Sequence, residues 1–363
     1  MNMSEPSDTV PQHRHSPETA PSEPGDAGDF KVSVIIPVFN AARYLACAVE
    51  SALQQPEVGE VVLVEDGSSD DSLAVAESLA ARYPERVKLH WHESHVNRGP
   101  GASRNLGLRE ARCPFVAFLD ADDWYLPGCF AFDKVAFDAD PALGMVRHSL
   151  GNAWDPEDEN QRWFLGYSRA AREKFCSTVK GVKPEDYFQS LYPMGPLTAG
   201  VADVLTIRRD LANSVGGFPP RYWAEDMTFH LMLASVARVA FADMERPMAM
   251  RRIHDDNLSR SKTDKLPERL DYMGQALMDA MAFLRQRKRP FRYKVALHRA
   301  WVRSGTRLTS LRSFSLLAAS PETILWPPVA WLYFKFYVCL IRHVLVRKPL
   351  AKKKRNVDVH LEN

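Results

Sequence analysis

The chain has 363 residues, long enough for one large domain or two modest ones with an ample core. Hydrophobic residues at 45% and charged residues at 25% are the balance of a globular protein, and a net charge of +2 provides no global field to favour nucleic acid. Five scattered cysteines (Cys47, Cys113, Cys129, Cys176, Cys339), none in a CxxC or CxxH pair, argue against a disulfide framework or a zinc site and fit a reducing compartment.

Residues 1–29 are rich in Pro, Ser, Glu and Asp and nearly free of large apolar groups, so they are expected to form a disordered tail. His13 and His15 are read there as solvated side chains. No apolar run of the kind a secretory signal needs is present, and the domain that follows is expected on the cytoplasmic side. Val32 to Ile36 is a β-branched run ended by Pro37, which suits a buried strand. A helix is predicted over Ala42 to Gln55, with Leu45, Ala48, Val49, Ala52 and Leu53 on one face. Val61 to Val64 reads as a second strand, followed by a helix capped by Asp70 or Asp71 that turns Leu73, Ala76, Leu79 and Ala80 inward. Val87 to Trp91 is a third strand, Gly101 to Ala111 a helix, and Phe115 to Leu119 a fourth strand. Beyond a weakly patterned stretch from 140 to 200, Val204 to Arg208 reads as a strand and Leu211 to Val215 as a short helix stopped by Gly216-Gly217. Met227 to Val239 reads as an apolar helix.

Strands alternating with helices in this rhythm imply a mainly parallel sheet flanked by helices, Rossmann-like in its layout. Ligands bind such sheets at the carboxyl ends of the strands. Asn40, the Glu65-Asp66-Gly67-Ser68 segment and the Asp120-Ala121-Asp122-Asp123 segment all fall at strand ends, so they are expected to share one crevice.

The acidic segment carries the most information. Three carboxylates at the edge of a core repel one another unless a cation neutralises them, and a hard divalent ion such as Mg²⁺ or Mn²⁺ suits oxygen ligands. The plainer reading is a solvated acidic turn before a helix. Asp66 with Gly67 suits either acceptance of a base N–H or a helix cap with a turn glycine. Phe39 offers either a stacking face or core. Arg98 and Arg104 flank a loop that opens a helix, where phosphate is favoured, though solvated arginines read equally well. Glu225-Asp226 supply either a general base or a favourable helix-dipole charge. His254 reads as a metal or phosphate contact, or as a surface histidine beside Asp255 and Asp256.

In order along the chain, these motifs resemble the family 2 glycosyltransferases of GT-A fold. The residues that carry the resemblance are Val34-Ile35-Ile36-Pro37-Val38-Phe39-Asn40, Val64-Glu65-Asp66-Gly67-Ser68, Asn105, Asp120-Ala121-Asp122-Asp123, Gly216-Gly217-Phe218, Glu225-Asp226 and His254. The resemblance implies an inverting single displacement from a nucleotide-sugar donor, assisted by Mn²⁺ or Mg²⁺. It implies that Asp66 binds the base, with Pro37 and Phe39 lining its pocket and Asn40, Arg98, Arg104 and Ala121 on the donor side. Asp120 would lie near the ribose or metal, Asp122 would be the principal metal ligand, and His254 would approach the metal or diphosphate. Asp226, with Glu225 beside it, falls on the base position. Glu65 departs from the Asp that many members carry.

The domains expected are the tail 1–29, a glycosyltransferase domain 30–265 (nucleotide-sugar half 30–140, acceptor half 141–265) and a helical region 266–363. That last region turns basic at Arg285-Gln286-Arg287-Lys288-Arg289, then aromatic from Ile324 to Val346, then basic again through Arg355. Three readings stand for it: an interfacial anchor, a core or oligomer helix, and a membrane span. The acceptor implied is a glycan, a lipid-linked glycan or another hydroxyl, in cell-surface polysaccharide or glycan synthesis at the cytoplasmic face of the membrane. The rival readings are a nucleotide-sugar-binding module without transfer and a sugar nucleotidyltransferase; GxGxxG after the first strand, which a dehydrogenase needs, is absent.

Overall fold

The computed structural model describes residues 30–154, 182–191, 204–220, 223–242, 246–254, 257, 266–290 and 292–297. The tail 1–29, the acidic loop at 155–160, Tyr222, Asp255, Asp256 and the aromatic segment at 324–346 lie outside the described residues.

The first half alternates as expected. It runs through β1 (Val32–Val38), α1 (Leu45–Leu53), β2 (Val58–Glu65), α2 (Ser72–Arg82), β3 (Val87–Trp91), α3 (Pro100–Glu110) and β4 (Phe115–Phe118). β5 (Trp124–Tyr125), α4 (Ala131–Ala139), β6 (Leu143–Arg147), β7 (Leu150–Trp154) and α5 (Tyr187–Ser190) follow. The described elements then continue with β8 (Leu205–Arg208), α6 (Arg209–Ser214), α7 (Glu225–Val236), β9 (Arg238–Phe241), β10 (Ala249–Ile253) and α8 (Leu266–Gln286). Seven strands form one sheet in the order β3-β2-β1-β4-β8-β6-β9, parallel throughout except for β8, which runs against both neighbours. Its central strands are near-continuous Val, Ile and Leu because helices cover both faces.

Two expectations shift at strand ends. β1 runs through Pro37 to Val38 and still pairs with β2 there. The Ile35 carbonyl accepts from Leu119 on the β4 side, and Pro37, two residues on, faces the same way beyond the last β4 pairing, so no ladder bond is lost with its missing N–H. The apolar run expected as one helix from Met227 to Val239 instead divides. α7 starts at Glu225 and ends at Val236, Ala237 turns extended, and Val239 joins β9 beside β6. A fully buried run has no periodicity to separate helix from strand.

α3 shows how a polar-looking segment is buried. Gly101, Ser103 and Gly107 face inward, and a Cβ at Gly107 would collide with Ile35 of β1. The small residues bring the helix backbone against the sheet. A second sheet, β5-β10-β7, stands beside the acidic turn. α8 packs on α7 and buries Ala276, Leu277, Ala280, Met281 and Leu284 in the common core, so the region expected to begin at 266 starts inside that core. Among the described residues, no helix is long and apolar enough to cross a membrane.

Candidate active site

β4 delivers Leu119 to the end of the sheet, and the chain turns at once through Asp120-Ala121-Asp122-Asp123 into β5. The Asp123 N–H donates to the Asp120 carbonyl at 3.0 Å, and the buried Tyr125 hydroxyl reaches back to the Phe118 carbonyl at 2.7 Å. Gln55 of the α1 end accepts from the Gly128 and Cys129 amides, which fixes the exit from β5. The turn is therefore held from both sides. Asp120, Asp122 and Asp123 each offer an oxygen within 4.8 Å of one another. Asp120 and Asp122 remain partly open to solvent, whereas Asp123 is buried and one of its oxygens accepts the Arg252 amide at 2.8 Å. An all-oxygen donor set of this kind fits a hard divalent cation.

His254 reaches this cluster at Asp122. Its Nε2 lies 2.9 Å from an Asp122 oxygen, which also accepts from the Asn257 side-chain amide at 3.0 Å. Asn257 in turn accepts the His254 N–H at 2.7 Å, so the two form one clamp on Asp122. The His254 Nδ1 is buried without a partner among the described residues. Tyr44, just ahead of α1, packs its ring 4.8 Å from that of His254.

Arg104 is expected either to meet phosphate at the opening of a helix or to be solvated. Its guanidinium is instead buried and donates to Asp120 at 2.7 Å and to Glu225 at 3.0 Å. Burial works against its charge, but the Asp120 and Glu225 carboxylates outweigh it and hold its pKa above the usual arginine value. Gly101 permits this closeness: a Cβ there would stand 3.0 Å from the Glu225 side chain and 3.1 Å from the Pro219 carbonyl. From the same helix, Asn105 donates to the Phe218 carbonyl and accepts the Phe218 N–H, both at 2.8 Å. A Cβ on the left-handed Gly217 would run into that amide. Gly216-Gly217-Phe218 thus fastens α3 to the approach to α7. Ala224, at the N-cap of α7, holds φ 60°, a left-handed conformation that is rare for alanine. Burial, reinforced by the Glu225 charge, pushes the Asp226 carboxyl well above its ordinary range. Burial raises Glu225 too, with Arg104 opposing.

The turns that follow β1 and β2 interlock. Asn40, in a left-handed turn, donates its N–H to Ser68 at 3.1 Å and accepts from the Ser69 N–H at 2.8 Å. Phe39 is 48% exposed rather than part of the core, and Pro37 is half-buried. Asp66 is closed in. Its two oxygens accept the Arg98 and Gly99 amides at 2.7 and 2.9 Å, with His92 3.5 Å away. Burial raises its carboxyl, and those amides and His92 pull it back. Asp66 meets the loop that presents the exposed Arg98 rather than an open surface. Of the two anticipated caps of α2, Asp70 accepts the N–H of Ser72, the first residue of the helix, at 3.0 Å, and that of Ala42 at 3.1 Å, whereas Asp71 makes no capping bond.

Residues that pattern alone did not single out are Tyr44, Arg252 and Asn257. All three act on the acidic turn from more than 70 residues away in sequence, a distance at which periodicity carries no signal.

Residues 33–157 match the sequence family described as Glycosyl transferase family 2. The succinoglycan biosynthesis protein ExoU of Rhizobium meliloti is 42% identical over 102 residues, which is 28% of this chain and 29% of that protein. The minor teichoic acid biosynthesis protein GgaA of Bacillus subtilis is 41% identical over 97 residues, 25% of this chain and 21% of that protein. The chain thus spans less than a third of the length of either relative. In fold it resembles S. aureus TarS 1–349, solved in complex with UDP-GlcNAc, with a TM-score of 0.55 at 19% identity over 84% of this chain and 88% of that one. The architecture is of the GT-A type.

Proposed function

We propose that this chain, whose residues 33–157 form a glycosyl transferase family 2 domain, transfers a sugar from a nucleoside diphosphate sugar to an acceptor hydroxyl. The reading extends to a metal-assisted, inverting single displacement in cell-surface polysaccharide or glycan synthesis. The observation that carries it is the Arg104 bridge: one buried guanidinium joins Asp120 of the acidic turn to Glu225, next to Asp226. Acids suited to a diphosphate-bound cation and acids suited to proton removal are thereby tied through one guanidinium.

In this reading Asp120 and Asp122 hold the divalent ion, and His254 with Asn257 holds Asp122. The ion supplies positive charge for the leaving diphosphate. Phe39 offers its exposed face to the base, with Pro37 lining the pocket and Asn40 and Ala121 beside the nucleotide. Arg98 faces the phosphates, and Asp66 orders the Arg98-Gly99 backbone from behind. Arg104 acts through Asp120 and Glu225. Asp226, made more basic by its surroundings, takes the acceptor hydroxyl proton while the acceptor oxygen bonds the anomeric carbon and the bond to diphosphate breaks on the opposite face. Attack from that face inverts the anomeric configuration. The names of the two curated relatives, which concern succinoglycan and teichoic acid, favour a surface polysaccharide as product. A glycan or lipid-linked acceptor at the cytoplasmic face of the membrane completes the proposal, with no role for nucleic acid.

The test is to incubate the protein and Mn²⁺ with UDP-, GDP- and dTDP-sugars and a panel of glycan and lipid-linked acceptors, and to follow the product by NMR. Nucleoside diphosphate release with a product anomer opposite to the donor's is expected. Donor binding without turnover would instead indicate a binding module, and pyrophosphate formation from a nucleoside triphosphate a nucleotidyltransferase; a retained anomer would contradict the displacement.

A further inference from the structure

We propose that Arg252 of β10 is a positioning residue for the cation site: it locks the main chain between Asp122 and Asp123 in the form that presents the Asp122 carboxylate. The proposal rests on the reading of the acidic turn as a divalent-metal site. β10 first pairs antiparallel with β5, Met250 opposite Trp124, which brings the strand alongside the chain leaving the turn. Two residues on, Arg252 makes two bonds to consecutive members of the turn. Its backbone N–H donates to an Asp123 oxygen at 2.8 Å, and its Nε–H donates to the Asp122 carbonyl at 3.0 Å. Its guanidinium carbon lies over two rings, 4.6 Å from the Trp124 centroid and 4.8 Å from that of Tyr44. The side chain therefore ties three parts of the chain to one carbonyl: the β5 strand, the entry to α1 and β10 itself.

Arginine suits this place because a planar group can stack on rings while its edge donates in a fixed direction; a lysine ammonium can do neither. The sign of the expected effect separates positioning from charge. A cation beside a metal site repels the metal, so loss of the Arg252 charge, taken alone, should tighten metal binding. Positioning demands the reverse. Supporting residues that orient metal ligands typically contribute about 10- to 100-fold in affinity.

The measurement is Mn²⁺ affinity by electron paramagnetic resonance on the full chain without donor, for wild type, Arg252→Lys and Arg252→Ala, with thermal unfolding recorded in parallel. Both variants are expected to bind Mn²⁺ about tenfold or more weakly, with lysine failing to rescue although it keeps the charge. Wild-type affinity in Arg252→Lys, or tighter binding in Arg252→Ala, overturns the proposal. If the alanine variant does not fold, Tyr44→Leu decides alongside lysine. It removes one of the two rings and no acid, several-fold weaker Mn²⁺ binding is expected, and unchanged binding overturns the proposal. A wild type that takes up no Mn²⁺ removes the metal reading itself and this proposal with it, an outcome distinct from equal binding by all variants.

Discussion

Arg104 donates an N–H to the Glu225 carboxylate at 3.0 Å, fastening the first turns of α3 to the first turn of α7 across 121 residues of sequence. The same guanidinium holds Asp120 at 2.7 Å, so one side chain sets the spacing between the acidic turn and the acids of α7. Arg104→Ala leaves a buried carboxylate at Glu225 uncompensated, and breaking such a pair costs roughly 3–5 kcal/mol. Chemical denaturation should show a loss near that size. Arg104→Lys should recover only part of it, since one ammonium cannot repeat the two-pronged reach to Asp120 and Glu225.

The raised carboxyl of Asp226 predicts a pH effect with a definite sign. A base must be deprotonated to act, so turnover should climb with pH up to the raised Asp226 value and level off above it. The half-maximal point should lie well above the ordinary aspartate range. Asp226→Asn should abolish that rise and lower kcat by about 10²- to 10⁴-fold.

Stability should move the other way. The folded state holds the Asp226 proton more tightly than the unfolded state, so this residue's contribution is fully present below the unfolded pKa of about 4 and is lost as pH rises through the folded value. Asp226→Asn should therefore raise the Tm relative to wild type above the folded pKa. In acid, where the aspartate is neutral in both states, the difference should vanish. An equal Tm difference at all pH values would contradict the burial of this charge.

Asn105 and Gly217 make a backbone clasp that a single methyl should open. Gly217→Ala strains a left-handed residue and forces its Cβ on the Asn105 amide, while Asn105→Ala frees both backbone groups of Phe218. Each is expected to destabilise by about 1–3 kcal/mol. Because the clasp leads into α7, each should also lower kcat more than it raises donor KM, a split that steady-state kinetics reads directly.

Asp66 offers a contrasting case. Asp66→Ala leaves the Arg98 and Gly99 amides without their acceptor, at a cost of roughly 1–3 kcal/mol for such groups. With the Arg98 loop released, donor KM should rise severalfold.

Much of the nucleotide half was legible because its signals are local. The β-branched runs of β1 and β2, the glycine after Asp66 and the acids after Phe118 announce buried strands ending in polar turns. What escaped was tertiary. β5 has only two residues and no period to detect, so the sheet holding the acidic turn was invisible. Nothing local says that Arg104 turns inward, since an arginine near the start of a helix reads equally as solvated until Glu225 arrives from α7. Phe39 lay between two readings, and only its exposure separates them. Asn257 carries no periodic signal at all and gains its meaning from Asp122, 135 residues earlier.

The central claim is that the acids around Asp122 serve sugar transfer through a divalent cation. Its most direct test is release of nucleoside diphosphate from a panel of UDP-, GDP- and dTDP-sugars, with Mn²⁺ or with chelator, by wild type and Asp122→Ala. Release from at least one donor is expected only with Mn²⁺, at a rate at least about 10²-fold lower in Asp122→Ala. Equal release by both proteins, or release undiminished by chelator, would contradict it.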